Sequence, residues 1–287
     1  MRIRVVAADS LGVRSMATLV EVSGLRIFID PGASLAPRRY GLPPHRVEVE
    51  ALEDSLREIT RLMESVDVVV ITHYHYDHYL YRPEQMDAYN DKLLVVKNPV
   101  DHINRSQMAR ARRLLGGVGG RARRIRYADG MVYDLGDVVL EFSPPVPHGA
   151  EGSRLGYLVM VRVYDRLDGR CFVHASDVQG PLSREALRVI EAWRPDTVFI
   201  SGPPTYFAGY KVPAEDVERG LRGLKELLST GALVIADHHF ARDRGYFEML
   251  RRLRRETGGR LVSAAEYMGV EPRPLESMRR ELWRGHG

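Results

Sequence analysis

Short β-branched runs alternate with amphipathic stretches along most of the chain. Short apolar runs bounded by turn residues are typical of strands. The tight turn Ser23-Gly24 joins two of the early runs, which favours an antiparallel hairpin near the amino terminus. We therefore predict strands over residues 3–7, 17–22, 25–29, 66–72, 93–96, 138–142, 156–163, 171–175, 197–201 and 233–236.

Three longer stretches carry apolar residues three or four positions apart, which is the spacing of one helix face. Pro195 follows the second stretch and Gly231 follows the third, as expected at the ends of helices. Helices with one apolar face are expected to cover sheets, so the pattern predicts a mixed α/β fold. The three faces are Leu52, Leu56, Ile59, Leu62 and Met63; Ala186, Leu187, Ile190 and Trp193; and Val217, Leu221, Leu224 and Leu228.

The composition is that of a globular protein. The 287 residues are 44% hydrophobic and 28% charged, which excludes a disordered or fibrous chain. Cys171 is the only cysteine, so neither an intramolecular disulfide nor a thiolate metal cluster can form. The densest apolar run, residues 66–72, is far shorter than the roughly 20 residues that cross a bilayer, and we expect a cytoplasmic protein.

The basic balance of the chain is weak evidence for a nucleic-acid partner. The formal charge is +4, and only four of the 42 basic residues are lysines, which we interpret as a consequence of genome composition. Residues 105–126 contain eight arginines around a glycine-rich turn. This stretch is either a flexible arm that grips phosphates or a solvated helix, turn and strand, and we favour the second interpretation.

The strongest chemical signal is the segment Thr72-His73-Tyr74-His75-Tyr76-Asp77-His78, directly after the apolar run 66–71. In an extended segment, residues i and i+2 point the same way, so His73 and His75 can bind one cation. A turn after them would bring Asp77 and His78 to a second position nearby. Imidazole and carboxylate ligands suit zinc, and also iron or manganese. Tyr74 and Tyr76 are predicted to pack rather than to bind.

Other residues of metal-ligand type also lie at the ends of predicted strands. Asp30 follows strand 25–29, His148 precedes strand 156–163, Asp177 follows strand 171–175, and His238-His239 follow strand 233–236. Each of them alone would be an ordinary turn or surface residue. Together they predict one cleft at the edge of the sheets.

This ordered set resembles the metallo-β-lactamase superfamily, whose His-x-His-x-Asp-His motif matches His73 to His78. The resemblance covers about residues 19–240 and is greatest to a little-characterised archaeal branch of hydrolases. It implies an αββα sandwich, with two mixed sheets face to face and helices outside. We expect one such domain over residues 1–287, built of two αβ halves, about 1–150 and 151–287.

The resemblance also implies two zinc ions, with iron or manganese as alternatives. His73, His75 and His148 would hold the first ion, and Asp77, His78 and a terminal histidine the second. Asp177 would bridge both ions, and Asp30 would orient ligands rather than bind metal. For the terminal histidine we prefer His239 over His238, because His239-Phe240 resembles the His-Phe pair of the nuclease members. Only one of the two should reach the metals, since neighbouring strand residues point oppositely.

Such a site implies hydrolysis by a hydroxide that the two zinc ions activate. We expect Asp77 to orient this hydroxide and carry its proton. A phosphodiester or RNA substrate is our leading hypothesis, and a glyoxalase-like thioesterase or a lactonase is the close alternative. A nucleic-acid-binding module without activity is the alternative of another class, but the complete ligand set argues against it. The oligomeric state is open.

Two residues near the cleft are candidates for substrate contact. Arg14, in the loop after the first strand, either holds an anionic group or is a solvated loop residue. Tyr206, in the loop after strand 197–201, either contacts the substrate and donates a proton or anchors the loop. The other histidines are interpreted as structural or exposed: His45, His102, His174 and His286.

Overall fold

The computed structural model describes residues 1–285, which contain fifteen strands and seven α-helices. The strands are β1 Arg2–Val5, β2 Thr18–Val22, β3 Leu25–Ile29, β4 Val68–Ile71, β5 Leu93–Val96, β6 Arg124–Tyr127, β7 Val132–Asp134, β8 Val138–Phe142, β9 Val146–Pro147, β10 Tyr157–Leu158, β11 Val161–Asp165, β12 Cys171–Ser176, β13 Thr197–Ser201, β14 Leu233–Asp237 and β15 Leu261–Val262. The helices are α1 Arg46–Met63, α2 Arg105–Val118, α3 Arg184–Trp193, α4 Ala214–Ser229, α5 Tyr246–Thr257, α6 Ala264–Met268 and α7 Arg279–Arg284.

Two mixed sheets carry most of these strands. The first has the order β1-β2-β3-β4-β5-β6, and the second has the order β15-β14-β13-β12-β11-β8-β7. In the first sheet, β1 to β3 are antiparallel and β3 to β6 are parallel. In the second sheet, β12 to β15 are parallel and the remaining pairs are antiparallel. The predicted hairpin at Ser23-Gly24 is confirmed as the β2–β3 turn.

The burial pattern shows how the layers stack. Ile27 and Val68 of the first sheet share one apolar cluster with Val161 and Phe199 of the second, so the sheets lie face to face. The outer face of the first sheet packs against α1 and α2, and that of the second against α3, α4 and α5. The predicted αββα arrangement is therefore confirmed. No helix within residues 1–285 is both long and apolar enough to cross a membrane.

Four strands escaped prediction, and one predicted strand is divided. The predicted strand 156–163 contains all of β10 and the first three residues of β11, and these two strands belong to different sheets. The missed strands are short or exposed: β6, β7, β9 and β15. β6 and β7 lie at sheet edges and contain no buried residue, so neither strand shows the apolar run by which a strand is recognised.

The strand directions place the carboxyl ends of several parallel strands at one edge of the sandwich. β3 and β4 are parallel neighbours in the first sheet, and β12, β13 and β14 are parallel neighbours in the second. Loops after parallel strands meet at the same edge of a sheet. The residues after β3, β4, β12 and β14 therefore converge, and these are the residues with metal-binding side chains.

The carboxyl-terminal segment folds back onto the start of α1. Arg279 and Glu48 are both fully buried, and Arg279 donates from Nε and Nη2 to the Glu48 carboxylate at 2.8 Å. Arg279 Nη1 also donates to the Leu42 carbonyl at 3.1 Å. Glu48 in turn accepts from the backbone nitrogen of His45, which caps α1. This ion pair fastens α7 to the start of α1 and to the loop before it.

Arg279→Met should lower the free energy of unfolding by about 3–5 kcal/mol, because it leaves the buried Glu48 carboxylate without its cationic partner. The neighbouring Arg280→Met is the matched control, since Arg280 is exposed and only lies over the Tyr40 ring. For this control we expect a change within about 0.5 kcal/mol. Urea unfolding of the two variants measures the difference. Equal losses would show that the ion pair does not fasten the segment.

Candidate metal centre

The motif loop leaves β4 and turns immediately into the cleft. His73 and His78 are fully buried, and His75 is half-buried. His73 Nε2 lies 3.1 Å from His75 Nδ1, so the two rings face a common point as alternation predicts. Tyr74 and Tyr76 point elsewhere. Tyr74 is buried and donates to the Lys97 carbonyl, and Tyr76 packs on Tyr81.

Asp30 lies behind the motif and holds it in place. Its carboxylate accepts from the Thr72 backbone nitrogen at 2.8 Å and from the Thr72 hydroxyl at 2.6 Å. Its Oδ2 is also 2.8 Å from His78 Nδ1. The proton of His78 therefore lies on Nδ1, and the Nε2 lone pair is free to bind a cation. Gly32 permits this approach, because a Cβ there would lie 2.1 Å from the Tyr79 backbone nitrogen.

Three of the strand-end residues adopt the left-handed backbone conformation, which disfavours side chains with a Cβ. Asp30 has φ 50°, Ser176 has φ 52° and His238 has φ 56°. Each such residue costs about 1–2 kcal/mol, which the surrounding structure must offset. They follow or end β3, β12 and β14, at the points where the chain turns its polar side chains into the cleft. Local strain of this kind is concentrated at functional sites.

The first group of side chains consists of His73, His75, His148 and Asp177. One ligand atom of each lies within 4.8 Å of the others. His148 Nε2 is 2.9 Å and His73 Nε2 is 3.6 Å from Asp177 Oδ2. Three imidazoles and one carboxylate form a donor set that suits zinc.

The second group consists of Asp77, His78 and His238, which meet the same distance criterion. His238 Nε2 is 3.6 Å from Asp77 Oδ2 and 3.3 Å from Asp177 Oδ1. Asp177 Oδ2 faces the first group and also lies 3.4 Å from His78 Nε2 of the second, whereas Oδ1 faces His238. This arrangement places Asp177 between the two groups.

The histidine pair after β14 is arranged differently from the sequence expectation. We expected only one of the two to reach the cleft, because neighbours in a strand point oppositely. That premise is wrong, since β14 ends at Asp237 and His238 lies beyond it in the left-handed conformation. His238 is fully buried against Asp77, whereas His239 is less buried and its Nε2 is 3.5 Å from Asp177 Oδ2. Both side chains therefore reach the cleft, and His238 completes the group with Asp77 and His78.

Two further residues support this pair, and sequence reasoning missed both. Asp9 Oδ2 accepts from His238 Nδ1 at 2.7 Å, just as Asp30 accepts from His78. Asp9 Oδ1 accepts from Arg242 Nε at 2.8 Å. The only sequence signal is weak, an aspartate after the first strand and an arginine three residues beyond His239.

Arg242 lies over the face of the His238 ring. Its Nη2 is 3.2 Å from Nδ1 and 3.0 Å from Nε2 of that ring. A donor in the plane of the ring could approach only one of the two nitrogens so closely. The guanidinium is therefore stacked, and the in-plane lone pair of Nε2 is open toward Asp77 and Asp177.

The buried polar atoms fit a pair of cations better than they fit one another. Within residues 1–285, His78 Nε2, His148 Nε2 and Asp177 Oδ1 are buried and have no hydrogen-bond partner. Buried polar atoms are rarely left unsatisfied, and a bound ion is one of the usual reasons. His148 Nε2 is close to Asp177 but lacks hydrogen-bond geometry. These atoms and the histidine and aspartate donor set indicate a site for divalent metal ions.

Burial makes His73, His75 and His239 poor proton acceptors, whereas nearby carboxylates outweigh burial and raise the pKa of His78 and His238. Burial lowers the pKa of His73 and His239, and it lowers that of His75 to about 3. Burial has the same effect on His238, but the charge of Asp177 outweighs it and raises the pKa to about 9. Metal ions compete with protons for such nitrogens, so their binding is expected to strengthen as pH rises.

The two carboxylates between the histidines are held in their charged form. Burial opposes ionisation of Asp177, but the surrounding histidines, His238 and His78 first, hold its pKa well below the ordinary value. The pKa of Asp77 is also lowered against burial, by His78, His238 and Arg242. Ionised carboxylates are the form that binds metal.

Arg14 is partly buried and paired with a carboxylate. Its Nε and Nη2 donate to the buried Glu276 carboxylate at 2.5 and 2.7 Å. Tyr206 follows β13, with the Arg39 guanidinium 4.3 Å from its ring centroid. Burial raises the pKa of the Tyr206 phenol, although Arg242 and Arg14 oppose the shift. A role of either residue in substrate contact stays a prediction.

Glu276→Gln should lower the free energy of unfolding by about 3 kcal/mol near neutral pH, because Arg14 loses its buried partner. Burial alone would raise the pKa of Glu276, but hydrogen bonds and charge from Arg14 hold it down at about 2. A depressed folded pKa stabilises the protein above the unfolded pKa, and this stabilisation is lost as pH falls through the folded value.

The difference between wild type and Glu276→Gln should therefore shrink as the pH is lowered from about 5 to about 2. Urea unfolding at a series of pH values measures it. A difference that stays constant over this range would show that the Glu276 charge contributes nothing to stability.

The arginine-rich stretch folds as the favoured interpretation predicts. It forms α2, a glycine turn and β6. Arg110 lies over the Tyr76 ring at 4.4 Å, which places one arginine of this stretch beside the motif loop. The remaining histidines lie outside the two groups. His45 caps α1, His102 packs on Tyr157, and His174 is hydrogen-bonded to the Met16 carbonyl, while His286 lies outside the described residues.

Comparison with known proteins gives a family and a fold. The sequence pattern of the metallo-beta-lactamase superfamily matches residues 12–173. A UPF0282 protein of Aeropyrum pernix is 48% identical over 99% of this chain and 99% of its own length, which confirms the expected likeness to an archaeal branch.

Two solved structures share the fold at low identity. An isothiocyanate hydrolase from Delia radicum gut bacteria has a TM-score of 0.55 and 18% identity, over 88% of this chain and 94% of that one. A diphosphatase of the PhnP family has a TM-score of 0.52 and 13% identity, over 91% and 93%. The sequence pattern covers more than half of the chain and the Aeropyrum relative covers nearly all of it, so the chain belongs to the metallo-beta-lactamase superfamily.

Proposed function

We propose that this protein is a metal-dependent hydrolase that cleaves phosphodiester bonds. The observation that carries the proposal is the convergence of two ligand groups on Asp177, with unpartnered buried donor atoms directed between them. Ligands from four separate loops meet there, which packing alone does not require. A protein that only bound nucleic acid would not need this set of metal-binding side chains.

The ligand roles follow the two groups. His73, His75 and His148 would hold the first cation, and Asp77, His78 and His238 the second, with Asp177 shared. His238 replaces His239 in this assignment because it lies with Asp77 and His78 and is braced by Asp9. Zinc fits the donor set best, and iron or manganese would also be accepted.

Two divalent cations at these positions would supply an activated water molecule and stabilise the charge that develops on the substrate oxygen. The chain's own residues would orient the ligands, accept the proton of the water and contact the substrate. Asp30 and Asp9 keep the Nδ1 protons of His78 and His238 in place, so that both Nε2 atoms face the cleft. Asp77, charged and half-buried, would orient the attacking water and accept its proton. Tyr206 would contact the substrate.

The charge beside the ligands favours a phosphodiester over a neutral substrate. Arg242 is buried, and its Nη2 is 3.7 Å from Asp77 Oδ2. A phosphodiester is an anion before and during reaction, so a fixed guanidinium at this position stabilises it throughout. A thioester or lactone has no charge there in the ground state. The superposed diphosphatase supports phosphorus chemistry on this fold, and the isothiocyanate hydrolase keeps a neutral small molecule as the alternative.

A substrate panel tests the proposal. Purified full-length protein, loaded separately with zinc, manganese or iron, is assayed on bis-p-nitrophenyl phosphate, an RNA hairpin and a set of thioesters and lactones. Metal-dependent turnover of a phosphodiester supports the proposal. Turnover of thioesters or lactones with inert phosphodiesters overturns the substrate class. Binding of RNA without bound metal or turnover overturns the enzymatic function altogether.

A further inference from the structure

A row of cationic and phenolic side chains leads outward from the second ligand group. Arg242 comes first, with its Nη1 3.3 Å from His239 Nδ1, and its charge opposes the raised pKa of Tyr206. The Arg39 guanidinium lies over the Tyr206 ring, 4.3 Å from the ring centroid. Arg39 Nη2 donates to the Arg242 carbonyl at 2.9 Å, which ties the row together.

Of the three arginines that meet here, Arg14, Arg39 and Arg242, only Arg39 lacks a close carboxylate in the described part of the chain. Glu276 pairs with Arg14, and Asp9 pairs with Arg242. Arg242 Nη2 is also 3.7 Å from Asp77 Oδ2. Arg39 Nε reaches Glu276 only at 4.0 Å. The Arg39 guanidinium is therefore the least neutralised of the three.

Arg39 also has a donor that the described residues leave unused. The Arg39 side chain is only 12% exposed, and its Nε is buried and has no hydrogen-bond partner within residues 1–285. A buried guanidinium N–H without an acceptor is unfavourable, and an anion beside it would satisfy it. The planar guanidinium and the phenol are groups that recognise phosphate oxygens.

We propose that Arg39 and Tyr206 form a subsite for a second phosphate of the substrate, next to the phosphate beside Arg242 that is hydrolysed. This inference rests on the proposed function and narrows it, because the preferred substrates would carry at least two phosphates. Arg14 is not part of the subsite, since Glu276 already neutralises it. The subsite lies on the side of the second ligand group, so it selects the substrate without taking part in bond cleavage.

The test compares a dinucleotide with and without a 5′-phosphate. Wild type should cleave the phosphorylated dinucleotide with a kcat/KM about 10-fold higher or more. Arg39→Gln should lose this preference while its rate on the unphosphorylated dinucleotide stays within about twofold. Arg38→Gln is the matched control, because Arg38 is the exposed neighbour and should keep the preference. An Arg39→Gln variant that keeps the preference for the phosphorylated dinucleotide overturns the subsite, and so does a wild type that lacks this preference.

A binding measurement separates the subsite from the activity. Inorganic phosphate is titrated calorimetrically into the metal-free full-length wild type, Arg39→Gln, Arg39→Lys and Arg38→Gln. Phosphate affinity should fall about 10-fold in Arg39→Gln, recover in part in Arg39→Lys and stay unchanged in Arg38→Gln. This result with inert dinucleotides supports the subsite and overturns the phosphodiesterase function. Phosphate binding that ignores Arg39 overturns the subsite, whatever the enzyme hydrolyses.

The same subsite distinguishes two kinds of diphosphorylated substrate. In the dinucleotide the phosphates are separated by a ribose, and in ADP-ribose they are joined directly. We expect the Arg39-dependent preference with the dinucleotide, because Arg39 lies over Tyr206 whereas Arg242 lies over His238, so the two guanidinium groups would meet separate phosphates. An Arg39 effect confined to ADP-ribose would keep the phosphate subsite and overturn its assignment to a nucleic-acid chain.

Discussion

Asp177→Asn is expected to lower kcat by about 10³-fold or more and to reduce the metal content of the purified protein. Asp177 lies within 3.6 Å of a nitrogen of each of five histidines, which include members of both ligand groups. An amide of the same size preserves the packing but removes the negative charge that cations need. Steady-state assays and elemental analysis of the same preparation measure both effects.

The matched control for this substitution lies at the other end of the same strand. Asp168 is exposed in the turn before β12, and Asp177 follows β12 in the cleft. Asp168→Asn should leave activity and metal content within about twofold of wild type. If Asp177→Asn retained both properties of the wild type, Asp177 could not be the shared ligand.

The second large effect is expected from the histidine pair after β14. His238→Gln should lose one of two cations and about 10³-fold in kcat, since His238 is buried with Asp77 and His78. His239→Gln should keep both cations and lower kcat only about 10-fold, because His239 lies near Asp177 but outside the group of Asp77, His78 and His238. Each variant is the control for the other, with the same substitution at adjacent positions. The reverse order would assign the metal to His239, which the sequence pattern had favoured.

The motif residues could be predicted from the sequence because they are local. His73, His75, Asp77 and His78 lie within six positions after a fully buried strand, and alternation alone directs the first two to one point. Asp30, His148 and Asp177 are different. Each is an unremarkable residue at a strand end, and the order shared with a known superfamily, rather than any local property, connected them to the motif.

The supporting residues could not be predicted, because their contacts join distant parts of the chain. Asp9 and His238 are 229 positions apart, and Arg14 and Glu276 are 262 apart. No local pattern indicates which aspartate accepts from which imidazole. The reach of both His238 and His239 also depends on one backbone conformation beyond β14, which periodicity cannot reveal.

Anomalous diffraction from crystals grown with zinc would locate the bound ions directly. We expect two peaks roughly 3.5–4 Å apart, one against His73, His75 and His148 and the other against Asp77, His78 and His238, with Asp177 touching both. Crystals that diffract well and show no metal peak among these seven side chains, or a single peak elsewhere on the surface, would contradict this two-ion site.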